Sequence, residues 1–192
     1  MAGEVRDPVT QTAATVYGAG TTKRIYTSSE VHATPLVENI ENKSAYVMNL
    51  PAVVLTSNWI WAVIKNTDDY DLIVERCMLW TATSKSNDFV GAYTRGAFTY
   101  AANGTAATPA CCNSGGALSA TGSFYYNDAV GSITTVTAGQ QCGSLLVTST
   151  PQVFGIDSNW IVPKNQVFYL QSELANDNTY RGWIEFYYHK HS

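Results

Sequence analysis

Charge is scarce in this sequence. Lys, Arg, Asp and Glu make up 14% of its 192 residues, against about 25% in ordinary globular proteins. Leucine is scarce as well, with ten residues against 48 of Val, Ile and Thr together. Side chains branched at Cβ lose rotamer freedom on a helix and pack well on pleated strands, so a helical bundle is excluded. An apolar content of 45% excludes a disordered chain. Excess positive charge is missing too. The net charge is -4 and the pI about 5.2, which argues against a nucleic-acid binder, since displacing counterions from phosphates takes a basic surface.

Long apolar runs are also missing. The longest, Ala52-Val-Val-Leu55 and Trp59-Ile-Trp-Ala-Val-Ile64, fall far short of the roughly 20 residues that span a bilayer. The opening Met1-Ala-Gly-Glu-Val-Arg-Asp-Pro8 does not read as a signal peptide. The expectation is a soluble protein made in the cytoplasm. There the four cysteines, Cys77, Cys111, Cys112 and Cys142, stay reduced, and no C-x-x-C pair or Cys/His cluster has zinc spacing.

Catalytic motifs are equally sparse. The chain has no G-x-S-x-G, no H-E-x-x-H and no phosphate-cradling G-x-x-x-x-G-K-[ST]. Gly18-Ala-Gly20 is a fragment of a nucleotide fingerprint and reads as a turn. His189 and His191 would share a face of an extended strand, and Asp68, Asp69 and Asp71 could offer hard oxygens to calcium. A solvated tail and a hairpin turn explain them better. Glu75, Glu173 and Glu185 lie within strands and would be the carboxylates for glycoside hydrolysis, though charges on outer strand faces are the plainer reading. No catalytic, cofactor-binding or metal-binding residue is assigned, and no cofactor is expected.

What is present is strand signal. Residues 1–44 are polar and Thr-rich and read as an extended N-terminal arm with one or two short strands. A β-sandwich domain follows over 45–192. Tyr46 to Thr56 is an apolar run broken by Pro51, which marks an edge, a bend or a bulge. Trp59 to Ile64 is apolar on both alternating faces, as a strand covered on both sides should be. With Tyr70 to Ala82 it is expected to form an antiparallel hairpin across the polar turn Lys65–Tyr70. Residues 91–150 form a Gly/Ser/Thr/Ala-rich loop region with nine of the fourteen glycines and only two charges, Arg95 and Asp128. In the last strand Ile184, Phe186 and Tyr188 face one way, and Trp183, Glu185 and Tyr187 the other. Aromatics on that second face imply that something covers it. The fold class is therefore all-β, an antiparallel β-sandwich or jelly roll with an extended N-terminal arm.

Two segments carry a resemblance. One is Val63-Ile-Lys-Asn-Thr-Asp-Asp-Tyr-Asp-Leu-Ile-Val-Glu-Arg76. The other is Trp160-Ile-Val-Pro-Lys-Asn-Gln-Val-Phe-Tyr-Leu170 with the closing Tyr180-Arg-Gly-Trp-Ile-Glu-Phe-Tyr-Tyr188. Together they resemble β-sandwich virion proteins of tailed bacteriophages, most of all capsid decoration (cement) proteins. The resemblance covers about a third of the chain and transfers no site residue. It implies a non-enzymatic homotrimer that sits on the outer capsid surface and stabilises contacts between major capsid proteins. It also implies synthesis in the host cytoplasm and no nucleic-acid or membrane partner. Candidate subunit-interface residues are Tyr17, Tyr26, Trp183, Tyr187, Cys111 and Cys112. The competing expectation is a tail or head-fibre component that binds a host-surface glycan through exposed Trp and Tyr.

Overall fold

The computed structural model describes residues 3–6, 13–17, 24–26, 43–55, 59–81, 88–95, 104–116, 119–127, 133, 140–173 and 178–189. The chain divides into two compact units, Met1–His32 and Ala33–Ser192.

The first unit is a three-stranded antiparallel sheet of β1 (Gly3–Arg6), β2 (Ala13–Tyr17) and β3 (Arg24–Tyr26) in the order β1-β2-β3. The sequence suggests one or two strands here. The third is only three residues long and too short to show alternation, so its pairing with β2 reveals it.

The second unit is all-β, with two antiparallel sheets packed face to face. Its strands are β4 (Ala45–Leu55), β5 (Ile60–Asn66), β6 (Asp71–Thr81), β7 (Asp88–Arg95), β8 (Thr105–Ala106), β9 (Ala110–Cys111), β10 (Gly122–Tyr126), β11 (Gln140–Val147), β12 (Gln152–Val162), β13 (Val167–Ser172) and β14 (Asn178–His189). One sheet runs β11-β7-β13-β5-β10-β8, the other β12-β6-β14-β4-β9. The pairing is nested. β4 pairs with β14, β5 with β13, β6 with β12 and β7 with β11, falling alternately in one sheet and the other.

Aromatic pairs bridge the two layers. Trp61 on β5 meets Tyr180 on β14 at 5.4 Å between ring centroids, and Phe124 on β10 stacks on Phe186 of β14 at 5.3 Å. Trp160 on β12 meets Phe168 on β13 at 5.0 Å. The β5 expectation is met, since every residue from Ile60 to Ile64 is fully buried. Ile60 and Val63 join Val167, Tyr169 and Ile133 in a small second cluster, while Trp61, Ala62 and Ile64 belong to the main core. Pro51 lies inside β4 where the register with β14 shifts between Tyr180 and Gly182, so it marks a bulge.

The expected β5–β6 hairpin is not formed. These consecutive strands lie in different sheets, and the turn between them carries the chain across the sandwich. Asn66, fully buried at the end of β5, ties this corner together. Its Nδ2 donates to Tyr70 O and Val162 O, both at 2.8 Å, and its Oδ1 accepts from the Asp68 backbone N–H at 2.9 Å. Its main chain bonds the opposing turn, where Asn165 has a left-handed φ of 64°. Asp68 Oδ1 accepts from Tyr70 N–H and Asp69 pairs with Lys164, so these aspartates cap and staple a corner. Among the described residues, no group of three or more His, Cys, Asp or Glu could hold a metal ion. His189 closes β14 opposite Asp71, and His191 lies outside the described residues.

Candidate interaction surface

Strand alternation gives the five-stranded sheet an inner and an outer face. In β14, Ile184, Phe186 and Tyr188 enter the core, as the sequence pattern predicts. Trp183, Glu185 and Tyr187 point the other way, and register sets them in cross-strand rows. Met78, Trp183 and Asn49 form one row, Arg76, Glu185 and Val47 the next, and Ile73, Tyr187 and Ala45 a third.

The middle row is tied by charge. Arg76 Nε donates to Glu185 Oε2 at 2.6 Å, and its guanidinium lies 5.7 Å from the Trp183 ring centroid. Exposed pairs of this kind add at most about 1 kcal/mol. What they do is hold a guanidinium and an indole in a fixed relation on the outer sheet face. Around them Met78 and Trp80 are half-buried, and the edge strand β12 adds Val153 and Ile161 at 54% and 56% exposure. Trp, Met and Arg among apolar neighbours is the composition of protein interfaces, in which Lys is depleted.

Glu75 is the irregularity on this face. The β6–β14 register passes from Arg76 opposite Glu185 to Val74 opposite Phe186, which leaves Glu75 as an extra residue. Its Oε2 is buried and has no hydrogen-bond partner among the described residues. Burial pushes the Glu75 carboxyl above its ordinary value of 4.5, the Glu185 charge adds to the rise, and Arg76 partly offsets it. A carboxyl raised in the folded state costs stability once it ionises. The cost is absent below the ordinary carboxylate pKa and grows as pH rises through the folded one. Glu75→Gln is therefore expected to raise Tm at pH 7. The gain should vanish as pH falls below 4.5, as thermal melts across that range would show.

Among the remaining candidates, Cys112 lies within electrostatic reach of Arg76 and Glu185. Tyr187 stands on the same outer face but is only 3% exposed and clusters with Ala45 and Ile73, so its ring is covered rather than offered to a partner. Cys111 packs against the main core and its Sγ donates to Lys43 O at 3.5 Å. Cys112 is exposed, and its backbone N–H donates to Ala45 O. Partial desolvation raises the Cys112 thiol pKa, with further rises from Glu185 and Cys111, against a lowering by Arg76. All four cysteines are free thiols. Tyr17 ends β2 opposite Arg24, and Tyr26 ends β3 opposite Thr15, both in the first unit.

The structure thus brings Trp183 onto a face with Arg76, Glu185 and Met78, neighbours that only strand register reveals. Of the strand carboxylates it gathers Glu75 and Glu185. Glu173, expected within a strand, lies just past the end of β13 in the other sheet, accepting from Gln141 Nε2 at 2.5 Å and Ser144 Oγ at 3.3 Å. Set against known proteins, the chain matches no family model, no curated protein and no solved structure.

Proposed function

We propose that the protein is a non-enzymatic structural component of a virion. In this reading it is a homo-oligomeric decoration protein, trimeric as the resemblance implies. It is made in the host cytoplasm, binds the outer capsid surface and stabilises contacts between major capsid proteins. The observation that carries this reading is the outer face of the five-stranded sheet, with Arg76 and Trp183 held together among exposed Val153 and Ile161. We also read the nested strand pairing as a jelly roll, an architecture that capsid and lectin domains use, and the N-terminal unit as an arm reaching a neighbour. Fold alone does not imply function, so the face has to bear the weight.

The test is co-sedimentation with capsids of the virus that encodes the chain. Wild-type protein is expected to pellet with them, and Trp183→Ala combined with Arg76→Ala to remain largely in the supernatant while keeping its thermal transition. Equal pelleting of the variant, or no pelleting of the wild type, would overturn the proposal. A second reading, recognition of a host glycan, draws on the same half-buried Trp80 and Trp183, because indole faces stack on sugar rings. A saturable glycan-array signal lost in Trp183→Ala would favour it.

A further inference from the structure

The register shift in β6 sets two residues, Glu75 and Arg76, against one residue of β14, Glu185. Two carboxyls therefore lie within electrostatic reach of one guanidinium. Glu185 holds it, through the 2.6 Å bond from Arg76 Nε. Glu75 does not, since its Oε2 is buried and accepts no hydrogen bond among the described residues. The charges that act on the Glu75 carboxyl are Glu185 across the ladder, which opposes its ionisation, and Arg76 beside it, which favours it. Cys112 lies within reach of the same Arg76 and Glu185. On the other side of β6, β12 carries one charged residue, Asp157.

The proton on Glu75 decides how many acceptors compete for Arg76. While that carboxyl is neutral, the charges of Arg76 and Glu185 balance, and the guanidinium lies 5.7 Å from the Trp183 ring centroid. Once Glu75 ionises, the cluster has an excess negative charge and a desolvated carboxylate oxygen without a donor, which is costly. Arg76 is the nearest remedy. Its guanidinium has further N–H donors beyond the Nε–H that Glu185 accepts, and its side chain is 45% exposed, so it has room to turn. A turn toward Glu75 takes it off the indole.

We propose that Glu75 is a proton-operated switch on the outer face of the five-stranded sheet. Protonated, it leaves Arg76 bound to Glu185 beside Trp183. Ionised, it draws the guanidinium to itself and away from the indole. The inference deepens the docking reading above and rests on it only for the use made of the switch. Covering the face would remove water from an uncompensated carboxylate. Docking therefore takes up a proton and strengthens as pH falls through the Glu75 transition.

The test uses the full chain and follows the indole N–H signal of Trp183 by nuclear magnetic resonance, identified by its loss in Trp183→Phe. The pH is raised through the carboxylate range to neutrality. The wild-type signal is expected to shift in a transition centred above 4.5, the ordinary carboxyl value. Glu75→Gln, which cannot ionise, should hold the signal at its low-pH position throughout. Asp157→Asn should leave the transition in place. Glu75→Gln is also expected to melt no lower than wild type, so that a lost transition is not a lost fold. A wild-type signal that does not move, a transition that survives in Glu75→Gln, or one that disappears in Asp157→Asn would overturn the inference. Capsid co-sedimentation separates the two proposals. A protein that shows the transition but never pellets defeats only the virion reading, and one that pellets with a Trp183 signal indifferent to pH defeats only this inference.

Discussion

Phe186→Ala is expected to lower the unfolding free energy by about 3–5 kcal/mol. Phe186 sits in the C-terminal half of β14 with no exposed surface. Its ring stacks on Tyr46 at 5.7 Å and on Phe124 at 5.3 Å, and meets Tyr188 edge-on at 6.1 Å. Tyr46 and Tyr188 belong to its own sheet, but Phe124 comes from β10 in the opposite sheet, so this ring joins the two layers. Truncation removes the transfer free energy of a phenyl group and leaves a void lined by three rigid rings that cannot collapse into it. Each lost ring pair adds about 0.5–1.5 kcal/mol beyond burial. For a domain whose net stability is about 5–15 kcal/mol, that is a large share. Urea denaturation of wild type and variant would measure it. Phe186→Leu, which refills most of the volume, should lose much less. A loss below about 1 kcal/mol for Phe186→Ala would mean that the aromatic cluster does not hold the sheets together.

The same residue shows how far the sequence could be read. The alternation of Ile184, Phe186 and Tyr188 against Trp183, Glu185 and Tyr187 is local, and it assigned inner and outer faces correctly. The double-sided burial of β5 and an irregularity at Pro51 (an edge, a bend or a bulge) were legible for the same reason, because period and proline chemistry act within a few residues. Pairing is a different matter. β4 meets β14 and β5 meets β13 across most of the domain, and nothing in either segment names its partner. Sequence proximity suggested a β5–β6 hairpin, but the chain crosses between sheets there, at a corner where the buried Asn66 amide donates to Val162 O. The candidate surface is half-legible on the same grounds. Trp183 follows from alternation, but Arg76 becomes its neighbour only through the β6–β14 register, and Glu75 becomes an extra residue only through the shift in that register. Tyr187 looks identical to Trp183 in the pattern, yet it is buried with Ala45 and Ile73 from the two adjacent strands.

Gly182→Ala is expected to destabilise the domain by about 3 kcal/mol, at the upper end for overpacking. Gly182 is buried in β14 between Leu50 of β4 and Leu79 of β6, beside the register shift opposite Pro51. A methyl group there would run into the Met78 carbonyl oxygen and would lie 2.8 Å from Leu79 Cδ2 and 3.3 Å from the Trp61 indole. Leu79 could change rotamer, but the carbonyl belongs to the neighbouring strand, and moving it strains the ladder that also fixes Arg76 opposite Glu185. Trp61 comes from the facing sheet and would be pushed outward, which loosens its contact with Tyr180. The expected result is therefore a lower Tm together with a change in near-ultraviolet circular dichroism from Trp61 and Tyr180. A surface consequence follows, because β14 carries Trp183 as the next residue. Any slip of β14 against β6 would separate the indole from the Arg76 guanidinium, so under the capsid-binding proposal the variant should also fail to pellet in the co-sedimentation assay. Wild-type stability in Gly182→Ala would mean that the close approach of Trp61 to β14 is not what fixes this sheet.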